Sequence, residues 1–126
     1  MVRTIVYWVT TVIVAGLSAF AAFAYLSGSP QAVQGFAHSG YPQQLRILLG
    51  IAKGLGVIAL LVPGFPTLKE WAYAGFTFAW IAAHVAHHIA KDGPVQYFPL
   101  VLLVLLFISY FTRPASRRWP GKMAVA

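Results

Sequence analysis

Four side chains that can carry or transfer a proton lie within apolar stretches of the sequence. Lys53 is in the middle of the segment 45–62, and His84, His87 and His88 are near the end of a second apolar segment. A lysine at the centre of a bilayer costs about 2.5–3.5 kcal/mol even on lenient insertion scales. We therefore expect these residues to have a partner inside the protein or a role in binding.

The composition indicates an integral membrane protein. Hydrophobic residues make up 60% of the 126 positions and charged residues only 9%, which is too apolar for a soluble domain of this size. Crossing a bilayer takes about 20 mostly apolar residues, and backbone pairing in lipid requires helices. The sequence predicts a single all-α membrane domain, 1–126, with four spans at approximately 4–26, 45–62, 70–90 and 95–112.

The connections between these spans predict how the helices pack. Proline and glycine residues make short turns at 63–66 and 93–94, between the second and third and between the third and fourth spans. Short turns hold neighbouring helices antiparallel, so we expect a transmembrane up-down four-helix bundle. The longer connection 30–42 has Val33 and Phe36 at helical spacing. It predicts a short interfacial helix between helices 1 and 2.

The net charge of +7 is concentrated on one side of the predicted membrane. Arg3, Lys69 and the tail 113–126 all fall on the same side if there are four spans. Because basic residues mark the cytoplasmic side, we expect a multi-pass cell-membrane protein with both termini in the cytoplasm. We interpret the tail as an orientation signal that touches anionic lipid of the bilayer and not as a nucleic-acid site. Its basic residues are Arg113, Arg117, Arg118 and Lys122.

The third predicted span has two different sides when its residues are projected at about 100° each. One side consists of small residues suited to close packing of helices, namely Ala72, Gly75, Ala79, Ala82, Ala83, Ala86 and Ala90. The other side is polar and aromatic and is formed by Tyr73, Thr77, Trp80, His84, His88 and Lys91. This second side predicts a cavity, a subunit contact or a wet groove.

Helix geometry places Lys53 and His84 in the same layer. At about 1.5 Å per residue, Lys53 is ~12 Å below the outer end of its helix and His84 is ~9 Å below the outer end of the next. Gly50 and Gly54 lie beside Lys53 and allow another backbone to approach closely. We therefore expect Lys53 to point inward and to meet His84 in an outward-opening pocket.

Other residues near the outer side complete this predicted pocket. His88 lies one helical turn from His84 and one turn from Asp92, a spacing at which the carboxylate can orient the imidazole. Tyr25, Gln34 and His38 lie at the outer end of the chain's path and are expected to cover the pocket.

A metal site and a haem site are two interpretations of the histidines. His84 and His88 are four residues apart on one helical face, a spacing at which both can bind a metal ion, with His38 or Asp92 as a third ligand. The charge of a nearby Lys53 disfavours a divalent ion. Haem is disfavoured because all histidines of the spans lie on one helix, so a second axial ligand would have to come from elsewhere.

A quinone-like or other lipid-soluble ligand uses more of these features. Lys53, His84 and Tyr25 can donate hydrogen bonds to carbonyl oxygens of such a ligand. Tyr73, Phe76 and Trp80 would form the flat apolar walls of the binding site. The structural alternative is that Lys53 and His84 bond to backbone carbonyls or snorkel outward, with His87 and His88 at interfacial depth. The protein is then a scaffold or subunit.

Several short segments spread over nearly the whole chain resemble one family when taken together. Segment 35–42 begins with Gly-Phe and ends with Gly-Tyr-Pro, and segment 49–56 reads Leu-Gly-Ile-Ala-Lys-Gly-Leu-Gly. Leu-Leu-Val-Pro follows at 60–63, and Lys-Glu-Trp-Ala-Tyr-Ala-Gly at 69–75. With the spacing of His88 and Asp92, these segments resemble the DoxX-like family of small four-helix membrane proteins.

The resemblance implies a four-span bundle and a set of expected roles. Relatives named DoxX are associated with thiosulfate:quinone oxidoreductase and quinol oxidase complexes, others with membrane redox assemblies, and distant animal relatives act as receptor chaperones. The resemblance implies that this protein is a subunit or accessory of a quinone-linked membrane redox process and has a membrane redox partner protein. A non-catalytic assembly factor that docks a partner helix is the alternative, and homo-oligomerisation is left open. His87 stands where relatives often have serine.

Overall fold

A computed structural model describes residues 1–117, which form α-helices and short 3-10 helices without a β-strand. The α-helices are α1 (Val2–Ser27), α2 (Pro30–His38), α3 (Gln43–Leu61), α4 (Pro66–Ile89) and α5 (Phe98–Phe111). The 3-10 helices are Gly93–Tyr97 and Ala115–Arg117. The predicted all-α fold is confirmed. Arg118 and Lys122 of the basic tail lie outside the described residues.

Three helical segments are long and apolar enough to cross a membrane: α1, α3 and the segment Gly93–Phe111. Helix α4 is not among them, although its 24 residues extend about 36 Å. Lys69, Glu70 and the histidines near its end make its composition more polar than that of the other three. The predicted span 70–90 therefore stays a prediction.

The four long helices pack around a shared core. Helix α1 packs on α3 and α5, and α4 packs on the same two helices. Apolar side chains from all four meet in the centre: Val14, Ala15, Val57, Leu60, Tyr73, Phe76, Trp80, Leu102 and Leu106. The outer surface carries large exposed apolar side chains such as Phe20, Phe23 and Phe78. Such a surface fits contact with lipid and not with water.

Two glycines of α3 allow neighbouring side chains to pack against the helix backbone. A Cβ atom at Gly50 would lie 2.9 Å from Leu26 and 3.0 Å from Tyr25, both at the end of α1. A Cβ atom at Gly56 would lie 2.8 Å from the ring of Phe76 on α4. A side chain at either position would require these neighbours to shift.

A short helix is present between α1 and α3, as predicted, and it lies against both of them. The Ser29 hydroxyl accepts a hydrogen bond from the backbone N–H of Ala32 and caps the start of α2. The Gln43 amide donates to the carbonyl of Val33, and Phe36 packs edge-on against Tyr25 at 5.2 Å. These contacts hold α2 over the ends of α1 and α3.

Cations close the opposite end of the bundle, where α3 ends. The buried Lys69 amine donates to the carbonyls of Val62 and Gly64, and Arg117 donates to those of Leu60 and Leu61. The last carbonyls of a helix have no partner within the helix and form the negative end of its dipole. Lys69 and Arg117 therefore satisfy the end of α3, a role that the sequence did not predict.

Candidate functional site

Lys53 projects from α3 into a cleft and has no anionic partner there. Its Nζ atom lies 5.0 Å from the centre of the Tyr25 ring. Among residues 1–117, Lys53 forms no hydrogen bond and no salt bridge. A cation over an aromatic ring gains about 0.5–2 kcal/mol, depending on how far it is desolvated. The amine is therefore held in place by Tyr25 while its three N–H donors stay available to a ligand.

The space beside Lys53 is a cavity of about 430 Å³ under α2, which we call the lid cleft. Helices α1, α2, α3 and α4 all contribute to its walls. Its lining comprises Tyr25, Gln31, Ala32, Gly35, Phe36, Ser39, Tyr41, Leu45, Leu49, Lys53, Ala79, Ala82, Ala83, Ala86 and His87. Mostly apolar walls with a few polar side chains are typical of sites for small organic molecules.

A second cavity of about 340 Å³ lies between α3 and α4, and we call it the α3–α4 groove. It shares Leu49, Lys53 and Ala79 with the lid cleft, so Lys53 stands where the two meet. Its lining comprises Leu49, Ala52, Lys53, Leu55, Gly56, Ala59, Leu68, Trp71, Ala72, Gly75, Phe76 and Ala79.

A carboxylate bridges two histidines at the rim of the lid cleft. His38 on α2 donates from Nε2 to one oxygen of Asp92 at 2.7 Å, and His87 on α4 donates from Nδ1 to the other at 2.6 Å. Hydrogen bonds from His87 and His38 hold the pKa of the Asp92 carboxyl below its usual range. We call this arrangement the His38–Asp92–His87 bridge. It ties the lid helix α2 to the end of α4.

His84 and His88 are held on another side of α4, away from Lys53. His84 donates from Nδ1 to the backbone carbonyl of Gln96 at 2.8 Å, and His88 donates from Nδ1 to the Gln96 side chain at 2.9 Å. Neither residue lines the lid cleft, whereas His87 does. Lys53 therefore shares the lid cleft with Tyr25 and His87, while the role of His84 and His88 in ligand binding stays a prediction. Asp92 likewise binds His87 and not His88.

The aromatic residues predicted as ligand walls lie in the core of the bundle. Tyr73 is 4% exposed and Trp80 is 2% exposed. The Tyr73 hydroxyl is hydrogen-bonded to the Ser109 hydroxyl at 2.7 Å, and Trp80 stacks on Phe76 at 5.1 Å. Large aromatic rings bury more apolar area than any other side chain, which favours their placement between the helices.

The small-residue side of α4 lines the two cavities instead. Ala79, Ala82, Ala83 and Ala86 face the lid cleft, and Gly75 faces the α3–α4 groove. Short side chains leave space between two helices that larger side chains would fill. The projection predicted close packing on the small-residue side and a cavity beside the polar and aromatic side. In the structure the small residues line the cavities, and Tyr73 and Trp80 pack in the core.

Within residues 1–117 no group of three or more histidine, aspartate or glutamate side chains is placed to hold a metal ion. The rings of His84 and His88, the predicted metal ligands, are 6.2 Å apart between their centres. Both are oriented by Gln96. In that part of the chain the pair has no third ligand of these types beside it.

The sequence profile of the DoxX-like family matches residues 9–109, which is most of the chain. The chain belongs to the DoxX-like family. This confirms the resemblance inferred from the short segments. No curated protein and no solved structure is significantly similar to the chain. With three helical segments apolar enough to span, this DoxX-like protein is a multi-pass membrane protein that contacts the lipid bilayer.

Two polar groups of the bundle were not predicted, one beside the lid cleft and one at the opposite end. Arg46 of the DoxX-like protein donates to the carbonyl of Tyr25 and, from Nε, to the Gln43 side chain at 2.7 Å. It fixes the end of α1 from which the Tyr25 ring projects. The only sequence signal was an arginine close to the start of a predicted span, where snorkelling toward the interface is the ordinary interpretation.

The second unpredicted group is an ion pair at the opposite end of the bundle. Arg113 forms a salt bridge with Glu70, which also accepts a hydrogen bond from the Tyr110 hydroxyl at 2.7 Å. The Arg113 guanidinium lies 3.9 Å from the centre of the Tyr110 ring. The basic residue after the last helix is thus part of the folded bundle, and it joins α4 to the end of α5.

Proposed function

We propose that this DoxX-like protein binds a small lipid-soluble ligand with hydrogen-bond acceptors, such as a quinone, in the lid cleft. Its role is that of a subunit or accessory of a quinone-linked membrane redox process. The observation that carries the proposal is the Lys53 amine, unpaired among the described residues, beside an apolar cavity of about 430 Å³. An unpaired cation at this depth is costly, and a ligand acceptor offsets that cost.

The chemistry of the lid cleft supports a ligand with carbonyl or similar oxygens. Lys53 offers N–H donors at the inner end of the cleft, and Gln31, Ser39 and His87 are polar groups nearer the rim. The Tyr25 and Phe36 rings give the flat apolar walls that the sequence assigned to other aromatics. A ligand oxygen that accepts a hydrogen bond from the Lys53 ammonium gains a charge-assisted bond.

The proposal includes four spans in up-down order with both termini in the cytoplasm. It is supported by the packing of α4 on α3 and α5, each of which lies in a segment apolar enough to span a membrane. The basic residues Arg3, Lys69 and Arg113 belong to the end opposite the lid cleft, which favours that end as the cytoplasmic one. The lid cleft then opens on the outer side.

Identification of co-purified small molecules tests the proposal. Protein purified in mild detergent is extracted with organic solvent, and the extract is analysed by mass spectrometry and absorbance for quinones. We expect wild-type protein to retain a stoichiometric lipid-soluble compound that Lys53→Met loses. His87→Ala should lower its retention, whereas His88→Ala should not, because only His87 lines the cleft.

The outcome also separates the proposal from the assembly-factor alternative. If Lys53→Met retains the same compounds as wild type but loses a co-purifying protein, the protein docks a partner and ligand binding is refuted. If wild-type extracts contain no lipid-soluble compound above the level of an unrelated membrane protein, and added quinones do not bind, the proposal is also refuted.

A further inference from the structure

The lid cleft does not end at Lys53 but continues into the α3–α4 groove. Leu49, Lys53 and Ala79 line both cavities. Along α3 the combined space extends from Leu45 to Ala59, a rise of about 21 Å for fourteen residues. This length is a large part of the roughly 30 Å hydrocarbon core of a bilayer.

The two parts of this space differ in polarity. Among residues 1–117, the indole N–H of Trp71 is the only side-chain hydrogen-bonding group other than Lys53 that lines the α3–α4 groove. The rest of its wall is apolar and mostly small, as at Ala52, Ala72 and Gly75. Gln31, Ser39 and His87 line the lid cleft and not the groove. A polar upper part and an apolar lower part, joined at an unpaired cation, match a molecule that is itself amphiphilic.

We infer that the ligand of the lid cleft carries a long apolar chain and that this chain lies in the α3–α4 groove. The ligand class is an amphiphile with one polar ring or headgroup and one isoprenoid or acyl chain. This inference rests on the proposed function and narrows its ligand class. Lys53 binds the polar group at the junction, and the groove holds the chain against the small residues of α4.

Filling the groove from α4 tests the inference with little risk to folding. A Cβ atom at Gly75 has no other atom within 4 Å, so Gly75→Leu adds its side chain to open space in the groove. The change also replaces glycine by a better helix former. Gly16→Leu is the matched control, because Gly16 is exposed on α1, lines neither cavity and likewise has no atom within 4 Å of its Cβ position.

The two probes are 2,3-dimethoxy-5-methyl-1,4-benzoquinone and its 6-decyl derivative, titrated into protein in lipid nanodiscs. Binding is followed by quenching of tryptophan fluorescence, with affinities referred to the probe concentration in the bilayer. In wild type and Gly16→Leu the decyl probe should bind at least about tenfold more tightly than the ring alone. Gly75→Leu should remove about tenfold of the decyl affinity, since its side chain displaces about four chain carbons, and leave the ring affinity unchanged.

Three outcomes distinguish the inference from the function on which it rests. Loss of both probes in Lys53→Met, with Gly75→Leu equal to wild type, refutes the chain site and leaves the headgroup site standing. Equal binding of both probes to wild type and Lys53→Met refutes the proposed function itself. A phospholipid that co-purifies with wild type and Gly16→Leu but not with Gly75→Leu supports the chain site with an acyl lipid, not a quinone, as its source.

Discussion

Replacing Gly50 by alanine is expected to disturb the packing that holds Tyr25 over Lys53. A Cβ atom at this position would lie 2.9 Å from the Leu26 side chain and 3.0 Å from the Tyr25 Cβ. Leu26 is exposed and can rotate toward lipid. The Tyr25 Cβ is attached directly to the backbone, so the end of α1 has to move to relieve this contact.

The expected magnitude follows from a comparison with Gly54→Ala on the same helix. At Gly54 the nearest atom to a new Cβ is 4.0 Å away, which is an ordinary contact. Both substitutions gain about 1 kcal/mol of helix propensity. Overpacking costs about 1–3 kcal/mol, and at Gly50 the rotation of Leu26 favours the lower half of that range. We expect Gly50→Ala to be about 1–2 kcal/mol less stable than Gly54→Ala.

Unfolding of both variants in mixed detergent micelles, monitored by circular dichroism, gives this difference in free energy directly. Binding of the decyl benzoquinone should also weaken in Gly50→Ala, because displacement of Tyr25 removes the ring beneath the Lys53 amine. The reasoning is refuted if Gly50→Ala matches or exceeds the stability of Gly54→Ala, or if the two variants bind the probe equally.

Three further predictions concern the polar contacts around the bundle. Asp92→Asn should speed hydrogen exchange in α2. In wild type the same change should appear only on acidification below the ordinary titration range of an aspartate, because the hydrogen bonds from His87 and His38 lower the pKa of Asp92 and keep the carboxylate ionised above that range. Glu70→Gln should lower the free energy of unfolding by about 2 kcal/mol, because it leaves the buried Arg113 without its anion and the partial exposure of Glu70 limits the loss. The double variant Glu70→Gln with Arg113→Met should recover part of the lost stability. Ser109→Ala should cost about 1–3 kcal/mol in the same measurement because it removes the buried hydroxyl that is hydrogen-bonded to both the Tyr73 and the Thr11 hydroxyls, and equal stability to wild type would contradict this.

The helical architecture was largely predictable because its signals are local. Apolar runs of sufficient length gave the positions of α1, α3 and the segment Gly93–Phe111, and the helical spacing of Val33 and Phe36 in the connection 30–42 gave α2. The glycines of α3 indicated close approach of another helix, and Gly50 does meet the end of α1. Each of these inferences depends on residues within one or two helical turns.

The site was only partly predictable because it depends on how each helix is rotated about its axis. His84, His87 and His88 are spread over about 100° of the circumference of α4, and spacing alone does not tell which of them faces α3. The position of Lys53 at a cavity followed from its cost in lipid, whereas the choice of His87 follows from the packing of Tyr73 and Trp80 in the core.

The cations at the other end of the bundle show a second reason why contacts could not be predicted from the sequence. Lys69, Arg113 and Arg117 look like an orientation signal in the sequence, but the structure pairs them with helix-end carbonyls and with Glu70. Lys69 reaches carbonyls only five and seven residues away, whereas the pairings of Arg113 with Glu70 and of Arg117 with α3 join positions 43 or more residues apart, so no local pattern indicates those two. An accumulation of basic residues predicts the side of the membrane and not the contacts they make.

The most direct test of the account is the affinity of the decyl benzoquinone for Lys53→Met in nanodiscs, measured against Lys91→Met. Lys91 is exposed and lines neither cavity. A hydrogen bond to a charged group contributes about 1.5–3 kcal/mol, so we expect Lys53→Met to bind about ten- to a hundredfold more weakly and Lys91→Met to bind as wild type does. Affinities of Lys53→Met and wild type within about twofold of each other would contradict the assignment of Lys53 as the ligand-binding cation.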